Sequence, residues 1–194
     1  MTPALFEAGP YRAIELAAED IPRLQRFFEE NPAYFLTVEG AAPKPSQAHE
    51  EFHSLPPPQM SFTRKWILGF DDGQGAMAGM AGLLTDLHAP RVWHIGLFIV
   101  ATALHGSSAA RQMHAALEAW SRANGARWMR LGVVSGNTRA ERFWEKSGYV
   151  EVRKRHDFQV GERTATLRMM VKLPPGAVLS EYLEHVPRDR PESP

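Results

Sequence analysis

Three groups of residues in this chain have the types and spacing of chemical machinery. The first is His94, just ahead of the apolar run Ile95-Gly96-Leu97-Phe98-Ile99-Val100. An imidazole with a free pKa of about 6.5 can take up or release a proton near neutral pH, directly or through water. A hydrogen-bonded histidine on a half-buried strand is the alternative of equal weight. The second group is Leu104-His105-Gly106-Ser107-Ser108-Ala109-Ala110-Arg111, where small residues separate that run from a helix. Such a turn leaves backbone N–H groups bare at the positive end of the helix dipole, a setting that can hold a phosphate-bearing cofactor. The third begins at Asn137-Thr138, where a second helix starts and Asn137 is either its cap or a ligand contact.

The elements that must position these groups can be read in order. Tyr11–Leu16 alternates as a strand, and Ile21, Leu24, Phe27 and Phe28 recur at helical spacing until Asn31-Pro32 stops the helix. The stretch 33–58 is the least legible, with the aromatic pair Tyr34-Phe35, a short helix expected over Gln47–Leu55 and a Pro56-Pro57-Pro58 loop. Strands follow at Lys65–Phe70, Ala76–Leu84 and Val92–Val100, the first two joined across Asp71-Asp72-Gly73-Gln74-Gly75. A helix from about Ser107 to Asn124 buries Met113, Ala116, Leu117 and Trp120 and stops at Asn124-Gly125. Trp128–Val134 is the next strand, a short helix runs to Gly148, and Tyr149–Phe158 and Thr164–Leu173 form a closing hairpin. The expectation is one α+β (mixed α/β) domain over residues 1–173, followed by a loose Pro-rich tail over 174–194 with room for one turn of helix near Tyr182.

Bulk properties exclude several classes. The 194 residues carry 22 basic and 22 acidic side chains, so the whole molecule has no net attraction for nucleic acid or an anionic membrane. The charges are segregated, acidic before residue 60 and basic after Ser108, which fits an anionic cofactor on the later half and a cationic substrate near the earlier half. Two solvated faces fit equally well. With no cysteine there is no disulfide, thiolate nucleophile or Cys-based metal site. No signal peptide or membrane span is visible, so a cytoplasmic protein is the expectation.

With these residues in view, the chain resembles the GCN5-related N-acetyltransferase (GNAT) superfamily from Tyr11 to about Leu173. The segment Asn137-Thr138-Arg139-Ala140-Glu141-Arg142-Phe143-Trp144-Glu145-Lys146-Ser147-Gly148-Tyr149 is similar to the family's Asn-x-x-Ala-x-x-Phe-Tyr-x-x-x-Gly-Phe. The family's pyrophosphate loop, Gln/Arg-x-x-Gly-x-Gly/Ala, falls on His105 to Ala110, with Ser108 in place of the first glycine and Ala110 satisfying the last position. The resemblance implies a central twisted mixed sheet of about six to seven strands flanked by helices. It further implies acetyl-CoA as co-substrate, its diphosphate held by His105, Gly106, Ser107, Ser108, Ala109, Ala110 and Arg111. Phe98, Ile99 and Val100 would bind the pantetheine arm through their backbone, one N–H polarising the thioester carbonyl. Several family members carry a general-base glutamate where this chain has His94, eleven residues before His105.

Trp144 stands where the family often has a tyrosine that protonates the departing thiolate, a role an indole cannot take. It is a pocket wall or core aromatic instead. The deficit is tolerable, since expelling a thiolate at pH 7 costs only about 2 kcal/mol. Deprotonating a lysine amine costs roughly 4–5 kcal/mol, so the sequence leans toward an acceptor amine that is already partly neutral. Tyr34, Phe35 and Trp93 are candidates for the acceptor pocket, with core packing as their alternative. The function expected is transfer of acetyl from acetyl-CoA to a primary amine of a small molecule or peptide, by direct attack in a ternary complex. A CoA-binding sensor without turnover is the second reading, motivated by Ser108 and Trp144. No metal, nucleic acid or membrane partner is expected, and a homodimer is the commonest oligomer the chain could form.

Overall fold

A computed structural model of the chain describes residues 3–193. Eight strands make one sheet: β1 (Phe6–Ala8), β2 (Tyr11–Glu15), β3 (Arg64–Asp71), β4 (Met77–Thr85), β5 (Val92–Val100), β6 (Trp128–Val134), β7 (Val150–Val160) and β8 (Arg163–Lys172). Their order across the sheet is β1-β2-β3-β4-β5-β6-β8-β7. The helices are α1 (Ile21–Glu30), α2 (Ala33–Val38), α3 (Gln47–His53), α4 (Ala109–Ala123), α5 (Thr138–Lys146) and α6 (Leu179–His185). This is the mixed α+β architecture expected, with one strand more than the sequence shows. β1 has three residues, too few for alternation to register, and pairs with β2 from Phe6↔Ala13 to Ala8↔Tyr11. Among the described residues, no helix is long and apolar enough to cross a membrane.

Both faces of the sheet are covered. On one, Met113 and Leu117 of α4 and Trp144 of α5 pack with Leu68, Phe70, Ala81 and Leu131. Gly79 lets α4 sit close, because a Cβ there would lie 3.0 Å from Met113 Sδ. On the other, Leu24, Phe27 and Phe28 of α1 and Phe35 of α2 pack on Ile67, Met80, Leu97 and Ile99. α2 occupies part of the stretch the sequence left unread. Its six residues carry no cap or periodic signature of their own and are held by Phe35 and Val38, both buried.

One junction interrupts the antiparallel ladder. β5 and β6 run parallel and pair only from Val92↔Trp128 to Ile95↔Leu131. Beyond that point β5 follows β4 and β6 follows β8, which pairs with it as far as Val134↔Leu167. The register of β4 and β5 shifts between Gly82 and Leu83, so that Gly96 is an extra residue on β5. A bulge of this kind bends its strand and raises its twist. The two central strands therefore part, and a cleft opens in mid-sheet.

The segment after Pro174 is not the loose tail expected. α6 seats Tyr182 and Val186 against Val92, Trp128 and Val171 in a third apolar cluster. A short turn at Pro187–Asp189 then brings Asp189 back beneath the sheet. There Arg130 of β6 donates to it twice, through Nε at 2.6 Å and NH2 at 2.8 Å, and Tyr182 Oη donates at 2.5 Å. Both charged side chains are buried, at 4% and 1% exposure, so each is tolerable only because the other is present.

Two consequences can be measured. Asp189→Ala strands a buried guanidinium and should lower the unfolding free energy by about 3–5 kcal/mol in a urea titration, whereas Arg130→Met combined with Asp189→Leu should cost less than that single change. His114, on the buried face of α4, takes a hydrogen bond at 3.1 Å with Tyr149 Oη, and burial pushes its pKa down to about 4. A histidine held neutral contributes stability that is complete above its unfolded value near 6.5 and is lost as pH falls toward 4. Between those limits wild type should lose stability more steeply than His114→Gln, by up to about 1.4 kcal/mol per pH unit.

Candidate active site

The parted strands border two adjoining cavities. The larger, of about 630 Å³, is walled by β5 and β6 with parts of β7, α2 and the 56–60 loop. The smaller, of about 220 Å³, lies between the end of β5, the start of α4 and α5. Tyr34, Phe98, Asn137, Ala140 and Trp144 line both, and so mark where they meet. A linear molecule entering by the smaller cavity would present its tip at this junction to whatever occupies the larger.

The smaller cavity has the features of an anion and amide site. Ser108 adopts φ −78°, ψ −7°, so a side chain at this position causes no strain, while Gly106 alone in the turn takes φ +85°. Ser107 Oγ accepts from Ala109 N at 3.1 Å and uses up one amide of the helix start. Among the described residues, the N–H groups of Gly106, Ser108, Ala110 and Arg111 have no protein acceptor. Arg139, which the sequence reading did not single out, extends from α5 to the same place and donates to His105 Nδ1 at 2.7 Å. The other ring nitrogen of His105 meets Val100 O at 3.0 Å. A guanidinium can only donate and a carbonyl only accept, so the His105 proton is on Nε2. Asn31 steadies the loop from below, its Oδ1 accepting from Thr102 N at 2.6 Å while Nδ2 donates to Phe27 O.

The edge of β5 supplies the rest. Ala101 N donates to Ala78 O, toward β4, whereas Val100 O receives His105 from the opposite side. Residues alternate along a strand, so the N–H and C=O of Phe98 share the direction of Val100 and point into the cleft. Ile99 directs its own toward β4 and contributes only its flank to the cavity wall. These observations fit the diphosphate and amide-bearing arm of a coenzyme A thioester, which needs bare N–H donors, a cation and an unpaired strand edge. Asn137 Oδ1 accepts from Ala140 N at 3.3 Å, so it caps α5 while lining both cavities. Trp144 is packed among Phe98, Phe143, His114 and Tyr149, with ring centroids 4.9–5.7 Å away. Burial raises the pKa of Tyr149, whose hydroxyl is engaged with His114 away from both cavities.

His94 lines the larger cavity, and Arg130 NH1 donates to its Nδ1 at 3.2 Å. Burial, reinforced by this guanidinium, holds its pKa well below the ordinary 6.5. The ring is therefore neutral at pH 7 with its proton on Nε2, and its one lone pair is shared with Arg130. His88, in the turn before β5, is pushed down to about 4 by burial and by Arg130 and Arg188. Tyr34, at the junction, is kept a neutral phenol by burial and by Glu39.

Phe35 and Trp93 line neither cavity. One helical step turns Phe35 away from Tyr34 into the α1 core, and strand alternation turns Trp93 away from His94 onto Trp120 at 5.6 Å. Nor do the acidic residues of the first 60 positions reach the larger cavity, so the cationic substrate their placement suggested finds no carboxylate on its wall. Arg155 and Arg188 do line it, together with Arg130. No spacing motif links these three, because they come from β7, the C-terminal turn and β6.

No curated protein matches the sequence significantly. Solved structures do match the fold. An acetyltransferase from Thermus thermophilus is 20% identical, with 84% of this chain and 96% of that one covered at a TM-score of 0.64. A spermidine N-acetyltransferase from Vibrio cholerae, in complex with CoA and spermine, is 17% identical over 90% and 98% at 0.64. A GCN5-related N-acetyltransferase from Kribbella flavida is 19% identical over 87% and 100% at 0.61. At these identities the likeness is one of fold. The sequence itself matches the model of the acetyltransferase (GNAT) family over residues 21–149, which takes in α1 through α5, the parted strands, the smaller cavity and part of the wall of the larger. The chain belongs to the acetyltransferase (GNAT) family.

Proposed function

We propose that this protein transfers an acetyl group from acetyl-CoA to a primary amine of a small molecule or peptide, by direct attack within a ternary complex in the cytoplasm. The observation that carries this reading is the cleft between β5 and β6, with unpaired amides at one end and an ionisable cavity at the other. Acetyl-CoA, when bound, supplies an activated thioester. The free N–H groups at the start of α4, with Arg139 and Arg111, hold its diphosphate. Backbone groups of Phe98 and Val100 hold the amide-bearing arm, and an N–H from this edge stabilises negative charge on the reacting oxygen. Tyr34, a neutral phenol at the junction, donates a hydrogen bond to the departing sulfur, a function Trp144 cannot perform.

His94 takes the amine's proton. It can do so only at Nδ1, which means releasing Arg130, and it is a weak base. Both facts favour an acceptor that reaches the cavity already neutral. The positive potential of Arg155 and Arg188 helps, because it destabilises an ammonium ion more than an amine.

Calorimetry with acetyl-CoA and a thiol-release assay over an amine library test the two halves of this reading. Ala110→Glu sets a carboxylate among the bare amides, where it suits the helix dipole but repels a diphosphate, and should weaken acetyl-CoA at least tenfold without unfolding the protein. Binding with no thiol release on any amine would instead make the protein a CoA sensor. For the base, kcat/KM should show an acid limb displaced well below the ordinary histidine range, and His94→Ala should lose about 10²-fold in rate together with that limb. An unchanged pH–rate profile would remove His94 from the mechanism.

A further inference from the structure

The charged groups on the wall of the larger cavity are all cationic. Among the described residues lining it, the ionisable groups are Arg130, Arg155, Arg188, His88, His94 and Tyr34, and none is a carboxylate. Asp189 answers Arg130 alone, bidentately and from below, with Tyr182 using its remaining capacity. Arg155 and Arg188 are both half-buried, and neither has an ion pair or donates a side-chain hydrogen bond among the described residues. Arg155 stands 5.3 Å over the Phe158 ring, which holds its planar fork in place without satisfying its N–H donors. Arg188 is anchored through its main chain, because Arg153 NH1 donates to its carbonyl at 2.6 Å. Burial and the neighbouring cations Arg188, Arg153 and Arg130 lower the pKa of Arg155, and the carboxylate of Asp189, already engaged with Arg130, offsets them only in part.

Two arginine forks kept in a partly dry cavity without an anion are costly unless an anion arrives with the substrate. A guanidinium presents paired donors that match the oxygens of a carboxylate or phosphate, and it gains most where water is thin. We infer that the acceptor is a small amine that also carries an oxyacid group, carboxylate or phosphate, and that Arg155 and Arg188 bind that group while the amine faces the junction at Tyr34 and Phe98. This rests on the acetyl-transfer reading for the amine, but the anion site stands on Arg155 and Arg188 alone. The same wall repels polyamines. The Vibrio cholerae neighbour crystallised with spermine is thus a guide to the fold and not to the acceptor.

The test uses amines matched except for the acid. The twenty amino acids are compared with their amides and decarboxylated amines, 2-aminoethyl phosphate with ethanolamine, and spermidine is added as a polycation. Calorimetry on the CoA-loaded protein reads binding, and thiol release on the acetyl-CoA-loaded protein reads turnover. Acid-bearing members should bind at least tenfold tighter than their neutral partners, the carboxylate and phosphate arms showing which oxyacid is preferred. In Arg155→Gln combined with Arg188→Gln that preference should shrink to within about twofold, with an unaltered melting temperature reporting an intact fold. Preference for neutral amines or spermidine, or a preference for acids that survives the double substitution, overturns the inference. Failure of thiol release with every amine, alongside arginine-dependent binding of the acids, would instead sink the enzyme reading and leave the anion site in place.

Discussion

Main-chain N–H and C=O groups in the middle of a sheet must find partners, and at one place in this protein the sheet withholds them. β5 and β6 pair over four residues and then separate, each following its outer neighbour. What β6 would have satisfied along Phe98 and Val100 is left facing a cleft. An extended ligand with amides of its own is the natural complement, and the bare N–H groups of α4 at the mouth of the cleft define which end of that ligand carries charge. The placing of every other element can be understood from this opening. α4 connects the two strands, α5 floors the gap with Phe143 and Trp144, and α2 brings Tyr34 to its upper edge.

The second organising feature is electrostatic. β6 carries Arg130 into the interior one residue from the point of separation, and the protein uses its last structured turn to neutralise it with Asp189. This pair does more than secure the C-terminal segment. By donating from NH1 to His94, Arg130 fixes that ring's tautomer and helps keep it unprotonated. Arg155 and Arg188 extend the positive potential across the cavity without an answering carboxylate. Chemistry at the cleft is therefore biased before any ligand arrives, toward neutral nucleophiles and toward anions.

The contrast between the two cavities follows from where their residues lie in the chain. The smaller is built mostly from two local segments, the 98–110 turn and the 137–144 helix, with residues 31–37 closing it, and the composition of the first already indicated a phosphate-binding helix start. The larger is assembled from α2, the 56–60 loop, both central strands, β7 and the C-terminal turn. Its ionisable residues come one from each element or turn, and no spacing in the sequence ties them together. His94 was visible because it lies eleven residues before His105, where the family resemblance puts a general base; Arg130, on the adjacent strand, looked like one more residue in a basic half.

The sequence alone determined the order of strands and helices from Tyr11 to Leu173, the small-residue turn before α4, and the helix capped by Asn137. Each is set by local physics: periodicity, turn chemistry, capping and the stiffness of proline and glycine. It missed β1 and α2, which are too short to carry a period, and it took the C-terminal segment for a loose tail because prolines and charges obscure the two residues, Tyr182 and Val186, that dock it. Only the tertiary structure decided that Trp93 and Phe35 face the core while Tyr34 faces the cleft, and that Ser108 holds a backbone angle any residue can adopt. It alone decided that His94 answers to Arg130, and that three arginines from distant segments converge on one wall. Contacts between residues tens of positions apart depend on how the sheet twists and where two strands part, and no window of sequence contains that information.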